Sequence, residues 1–370
     1  MAEPLKNHYG PQIPKRIGGM IAAVYPAFDR RAFLRDALDG YEALELMSRG
    51  RHLARALHLH LPAAYPAAVK ILLASLEVPG KARGADLGTF IYMPHTFFVA
   101  EYGLDHLEIS LQAQYELTQR FTAEFSIRPF LEHHPEATLA RLRAWAADPS
   151  EHVRRLVSEG TRPRLPWAPR LRAFQRDPAP VLDLLELLKD DPALYVRRSV
   201  ANNLNDIGKD HPALLAKIAR QWLKGAGLER AWLVRHALRS AVKRADPGAL
   251  AVLGFGGDAQ VKVSQARLSP KRAAIGTALT LSFALTNTTA KQQRVLVDFR
   301  VHFVKANGKT KAKVFKLKVV DLAPGQNISL SKTLSLAEMS TRKHYPGKHQ
   351  VEVMLNGAAQ PLGSFELVRR

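Results

Sequence analysis

The chain contains no cysteine. Disulfides, thiolate nucleophiles, iron–sulfur clusters and ordinary structural zinc sites are thereby excluded, because each is built on a thiol. Long apolar runs are missing too. Nothing approaches the roughly 20 residues needed to span a bilayer, and the opening MAEPLKNHYGPQIPKR lacks the apolar stretch of a secretion signal. A soluble cytoplasmic protein is the expectation. No HExxH, Walker loop or GxGxxG pattern occurs, so the common signatures of zinc proteases, phosphate-binding loops and dinucleotide sites are absent. Acidic residues are scarce, 33 against 54 lysines and arginines, for a net charge of +21. Such a surplus favours a polyanionic partner, nucleic acid ahead of a membrane, and says nothing about catalysis.

What is present is enough apolar sequence, 46% of 370 residues, to bury a large core in two or three domains. From about residue 30 to 253 the apolar spacing is helical, interrupted by short breaks such as LPAAYP, LEVPG, LEHHPEA, AADPS, RDPAP and DDPA. Within it DPSEHVRRLVSEG (148–160) aligns without gaps on DPALYVRRSVANN (191–203), and LVRHALRSAV (233–242) repeats the pattern. Shifts of 43 and 38 residues suit two-helix HEAT-like units. Each of the first two copies reads as Asp at the N-cap and Pro at the first helical position, with Glu151 completing a capping box on Asp148. Val153, Leu156 and Val157 form the expected buried stripe, and stacking such units produces a curved solenoid with one concave face.

After GFGGDAQ (254–260) the period becomes two: Leu279, Leu281, Phe283 and Leu285, then Val295, Val297, Phe299, Val301 and Phe303. These are strands; Asn307-Gly308 reads as a hairpin turn, and Phe315, Leu317 and Val319 alternate with Lys316 and Lys318. The expected fold is therefore multidomain, α then β: an all-α HEAT-like repeat solenoid over residues 1–253, a linker over 254–260, and an all-β immunoglobulin-like sandwich over 261–370, without its disulfide. From Asp258 onward there are 19 basic and six acidic residues, so the smaller domain carries more than half of the net charge.

Residues four apart on a helix share a face, which aligns Glu151, Arg155 and Glu159 in one stripe and Arg198, Asn202 and Asp206 in the matching stripe one repeat later. Stacked helices bring such stripes within roughly 8–10 Å, so carboxylates of neighbouring repeats can converge. Upstream, Glu124 and Arg128 read as another helical pair, with Pro129 disturbing the helix beside them. The competing reading is structural: Arg in VRR and Asp at helix starts pair with each other and stabilise the stack. Arg162-Pro163-Arg164-Leu165-Pro166-Trp167 cannot continue a helix. It reads as a stiff strip whose guanidiniums suit phosphates and whose indole suits a sugar or base. His58 and His60 point different ways on a helix, and His133-His134 precedes a proline, so no metal site is read there.

The segments RRLVSEGTRPRLPW, VRRSVANNLNDIGKDHP and ELTQRFTAEFSIRPFL resemble those of the AlkC branch of the DNA alkylation repair glycosylases, relatives of the AlkD enzymes. The resemblance spans roughly residues 5–250, and the strand pattern beyond it is similar to the immunoglobulin-like extension of some AlkC members. It implies monofunctional hydrolysis of the N-glycosidic bond of cationic methylated bases, chiefly 3-methyladenine and also 3-methylcytosine, in double-stranded DNA without base flipping. It further implies a bacterial, cytoplasmic and monomeric enzyme with no cofactor, no metal and no membrane partner, associated with the nucleoid when acting on DNA. On this reading Glu124, Glu159, Trp167 and Asp206 line the catalytic surface. Arg128, Arg154, Arg155, Arg162, Arg164, Arg198, Asn202, Lys316 and Lys318 are the candidate DNA contacts. The alternative is a non-catalytic HEAT-repeat scaffold that binds nucleic acid. It accounts for charge and repeats, but not for carboxylates on the binding face, which cost affinity for phosphate.

Overall fold

The computed structural model describes residues 4–76, 88–339 and 342–369; most of the LEVPG break lies outside them. The described chain forms two compact units, residues 4–210 with 226–237, and residues 211–225 with 238–369.

The first unit is helical. Its N-terminal core joins Tyr9, Ile17, Phe33, Tyr41, Leu53, Phe97 and Phe130. The two copies of the repeat become the helices Glu151–Gly160 and Leu194–Asp210, packed on each other. Both bury the same face: Val153, Leu156 and Val157 in one, Val196, Val200 and Leu204 in the other. Their openings differ from the capping-box expectation. Asp148 accepts a hydrogen bond from the Ser150 amide and Asp191 from the Ala193 amide, both at 2.8 Å. These are turns closed two residues on, and the helices start later, at Glu151 and Leu194. An arginine one turn into each helix holds this geometry. Arg154 Nη1 donates to the carbonyls of Asp148 and Pro149, and Arg197 Nη1 to those of Asp191 and Pro192, all within 2.9 Å. Arg154 also grips Asp191 of the next copy through Nε (2.6 Å) and Nη2 (3.1 Å).

Among the described residues the second unit contains eight strands: β1 (Val261–Ser269), β2 (Arg272–Ala274), β3 (Ala278–Asn287), β4 (Gln293–Val304), β5 (Thr310–Leu322), β6 (Asn327–Ser335), β7 (Gly347–Leu355) and β8 (Ala358–Val368). They form a three-stranded sheet, β1-β3-β6, and a five-stranded sheet, β2-β8-β7-β4-β5, antiparallel except for β2 with β8. The alternating residues of β3 and β4 meet in one core with Val351, Val353 and Leu355 of β7. At the Asn307-Gly308 turn Gly308 takes φ +73°, which glycine adopts without strain, and the Lys305 amide bonds to the Lys309 carbonyl at 2.8 Å. Residues 254–260 do not separate the compact units as a linker would. Leu250 and Phe255 share a buried cluster with Leu296 of β4, so the helices Pro212–Leu223 and Pro247–Val252 belong with the sandwich.

Candidate functional site

The helix Glu151–Gly160 ends where its last turn meets the helix Ile127–His133. A Cβ on Gly160 would lie 2.5 Å from Ile127 Cγ2, so glycine is what lets the two helices approach. The strip that follows is anchored by Arg128. Its Nη1 donates to the carbonyls of Gly160 (3.0 Å) and Arg162 (2.8 Å), and its Nη2 to that of Pro169 (2.6 Å). Burial pulls the Arg128 guanidinium down to about 10, although Glu132 and Glu124 oppose the shift. Between these anchors Trp167 adopts φ +66°, a left-handed conformation costly for a bulky residue, and leaves its side chain 68% exposed.

Six charged side chains alternate in sign across this end of the repeat. Glu124 Oε2 meets Arg155 Nη1 at 2.5 Å, and Arg155 Nη2 lies 3.6 Å from Glu159 Oε1. Glu159 Oε1 accepts from Arg162 Nη1 at 2.6 Å. Arg162 Nε and Nη2 reach Asp206 Oδ2 at 2.8 Å, and Lys209 closes the row on Asp206 Oδ1 at 2.7 Å. Burial alone would lower both guanidiniums, but the carboxylates beside them raise Arg155 and Arg162 above the ordinary arginine value. Three negative and three positive charges cancel, so the row tolerates burial because each charge has a partner.

Glu124, Arg155, Glu159, Arg162 and Trp167 line one cavity of about 400 Å³, whose other walls include Phe90, Phe121, Phe125, Tyr195, Met47 and Met93. The sequence expectation is a concave face that works without base flipping; of the aromatic residues that wall the cavity, Tyr195 lies in the aligned repeat, while Phe90, Phe121, Phe125 and Trp167 come from segments outside it. Tyr195 carries Arg155 over its ring at 5.2 Å, and burial raises its hydroxyl while Arg155 opposes the shift. Thr122 ties the row to its loop, donating to Glu124 Oε2 at 2.9 Å and accepting from Arg155 Nη1 at 2.9 Å.

Several expected roles change. Glu124 stands on a turn ahead of the helix Ile127–His133 and pairs with Arg155, not Arg128. Pro129 falls in that helix's first turn and does not interrupt it. Asp206 is fully buried behind Glu159, with both oxygens engaged, and does not line the cavity. Arg128 and Arg154, expected on DNA, have their guanidiniums spent on backbone carbonyls and Asp191. The two arginines of the strip turn inward as well: Arg162 to Glu159 and Asp206, Arg164 to Asp210, with Arg164 Nε at 2.8 Å. Arg198 is exposed and Asn202 half-buried on the helix Leu194–Asp210, while Lys316 and Lys318 are exposed on β5 in the other unit. His58 stacks on Tyr102 at 3.8 Å and His60 bonds Asp36 at 2.8 Å.

Residues missed by sequence reasoning include Thr122, Tyr195, the three phenylalanines and Ser199, whose hydroxyl donates to Glu159 Oε2 at 2.6 Å. Ser199 had a legible signal: it occupies the position of Leu156 in the aligned repeat, and a hydroxyl in a buried stripe needs a partner.

The family model described as "Uncharacterised protein YhaZ, C-terminal Ig-like domain" matches residues 262–369. The uncharacterized protein YhaZ of Bacillus subtilis (strain 168) is 37% identical over 364 residues, covering 98% of this chain and 99% of that protein. Among solved structures, the alkylpurine DNA glycosylase AlkC of Pseudomonas fluorescens, bound to DNA containing an abasic site analog, superposes with a TM-score of 0.91. It shares 39% identity, over 99% of this chain and all of that one.

Proposed function

The chain belongs to the family of AlkC and YhaZ, and on that premise we propose that it is a DNA glycosylase that releases alkylated bases from double-stranded DNA. The observation that carries the reading is the pair of carboxylates, Glu124 and Glu159, on the wall of an aromatic cavity beside the exposed Trp167.

The chemistry follows from the leaving group. Methylation at N3 gives adenine a positive charge, so the base departs neutral and needs no proton from a general acid. What is left behind is an oxocarbenium-like sugar. Carboxylates held at fixed positions stabilise that charge, and one of them orients or deprotonates the attacking water. Glu159 and Glu124 fill these parts. Arg155, a cavity-wall cation paired with both, is the group that a DNA phosphate draws off, which exposes the two carboxylates to the sugar. Among the described residues the cavity lining contains no lysine amine, which supports the reading of a monofunctional enzyme whose product is an intact strand carrying an abasic sugar.

The preferred lesions are 3-methyladenine and 3-methylcytosine, both cationic. Uracil and hypoxanthine, neutral and poorer leaving groups, stay attached. The base remains in the duplex, and the carboxylates approach the deoxyribose from the backbone side. Single-turnover excision from duplexes with one defined lesion, with uncatalysed loss subtracted, tests the reading. Efficient release of uracil or hypoxanthine would require protonation of the leaving base, a step this mechanism does not contain, and would end it. A 2-aminopurine beside the lesion stays quenched if stacking survives; brightening ahead of excision contradicts the unflipped pathway.

A further inference from the structure

Glu159 accepts a hydrogen bond at each oxygen, and one of the two donors stands on the neighbouring repeat. Oε1 receives Arg162 Nη1 and Oε2 receives Ser199 Oγ, each at 2.6 Å. Ser199 is 3% exposed, on the helix Leu194–Asp210. An ionised carboxylate only accepts hydrogen bonds, so the Ser199 hydroxyl must point its proton at Glu159. Its lone pair is then left for Ser158 Oγ, 2.7 Å away. The polarity of this buried relay is set from one end: Ser158 donates to Ser199, and Ser199 donates to Glu159. Hydrogen bonds in such a chain polarise one another, and a donor to a charged group is the stronger kind.

We propose that Ser199 is a positioning residue for base release: it fixes the plane of the Glu159 carboxylate so that this group faces the cavity. The proposal rests on the function proposed above. The arginine contacts, Arg162 at 2.6 Å and Arg155 at 3.6 Å, both fall on Oε1 and leave the carboxylate free to turn about that oxygen; the donor on Oε2, from a different helix, removes that freedom. The hydroxyl is otherwise dispensable to the fold. Without it Ser158 keeps an acceptor in the Arg155 carbonyl at 3.1 Å, and alanine suits a helix interior. Glu159 Oε2 is the atom that loses a donor.

The test is a double-mutant cycle on the single-turnover rate with a 3-methyladenine duplex, using the full chain. Ser199→Ala should slow release by about 10- to 100-fold, the order expected when a reacting group is misplaced by about 1 Å. Its DNA affinity should stay at the wild-type value, and its unfolding temperature should fall by no more than about a few degrees, the loss of one buried hydrogen bond to a charged group. Ser199→Thr, which keeps the hydroxyl, should recover the rate. In a Glu159→Gln background Ser199→Ala should cost nothing further, because the residue acts only through that carboxylate. A Ser199→Ala rate equal to wild type while Glu159→Gln is slow overturns the proposal. So does an equal loss in both backgrounds, which marks a general structural role. A wild type that releases no base overturns the function itself and is read from the unmutated protein alone.

Discussion

Glu159 and Asp206 carry the same charge within one row of ion pairs, yet their surroundings give them different work. Glu159 reaches the cavity wall; Asp206 is fully buried and spends both oxygens on Arg162 and Lys209. Removing one member of a buried pair strands the other, at about 3–5 kcal/mol. Asp206→Asn should therefore lower the unfolding temperature by roughly 10 °C in a unit of this size, and slow excision only through Arg162. Glu159→Gln leaves each of its arginines a second carboxylate, Arg155 on Glu124 and Arg162 on Asp206, and sits at the cavity wall, so its loss of stability should be the smaller of the two. Its single-turnover rate should fall by about 10²- to 10³-fold, as when one preorganised charge-stabilising group is lost. Thermal unfolding and single-turnover excision on both variants check the division. A stable Asp206→Asn beside an active Glu159→Gln would reverse the assignments. The i, i+4 spacing shows that Arg155 shares a face with Glu159; it does not show that the adjacent Arg154 is consumed by the preceding turn and the next repeat. That outcome depends on Asp191, 37 residues away.

At the scale of elements, the site is a helix end meeting another helix and a strip locked by one arginine. Gly160 permits the meeting. In Gly160→Ala the new Cβ collides with Ile127 Cγ2, and overpacking of this kind costs about 1–3 kcal/mol. Because Glu159 precedes the collision directly, excision should slow along with the loss of stability. Adding Ile127→Ala, which deletes the colliding methyl, should recover part of what Gly160→Ala loses. Urea denaturation of the two single variants and the double variant measures that coupling; strictly additive losses would mean that the contact is not the cause. The strip's proline-rich composition shows that it leaves the helical path. Its direction is set by three carbonyls on Arg128, and they turn Arg162 and Arg164 toward carboxylates instead of solvent.

Across the whole molecule, residues 258–370 hold 19 of the 54 basic side chains and only six acids. If this surplus meets DNA, each neutralised phosphate releases counterions and steepens the salt dependence of binding, with a log–log slope of about 0.9 per contact. Lys316 and Lys318 stand exposed on β5, an edge strand. The double change Lys316→Gln, Lys318→Gln should flatten the slope by about 1.8 while leaving excision at saturating enzyme intact. Affinity measured across a salt series decides it. An unchanged slope would mean that the lysines only keep the sheet edge from pairing with another chain. Substitution is a cleaner test than truncation at residue 258, which would leave Leu250 and Phe255 without Leu296.

The sequence by itself determined the helical repeats, the strand alternation and the charge surplus, because periodicity and composition are local properties of the chain. The buried stripes Val153–Leu156–Val157 and Leu279–Leu281–Phe283–Leu285 follow from spacing alone. Tertiary structure decided which charges face the cavity and which support it. Arg162 and Arg164 could have met phosphate or carboxylate on composition alone; Asp206 and Asp210, 44 and 46 residues downstream, are what turn them inward. Aromatic walls from residues 90, 121, 125 and 195 meet only when distant segments are packed together. The same holds for the compact units, since the burial of Leu250 and Phe255 against Leu296 outweighs the change from helix to strand at residues 254–260.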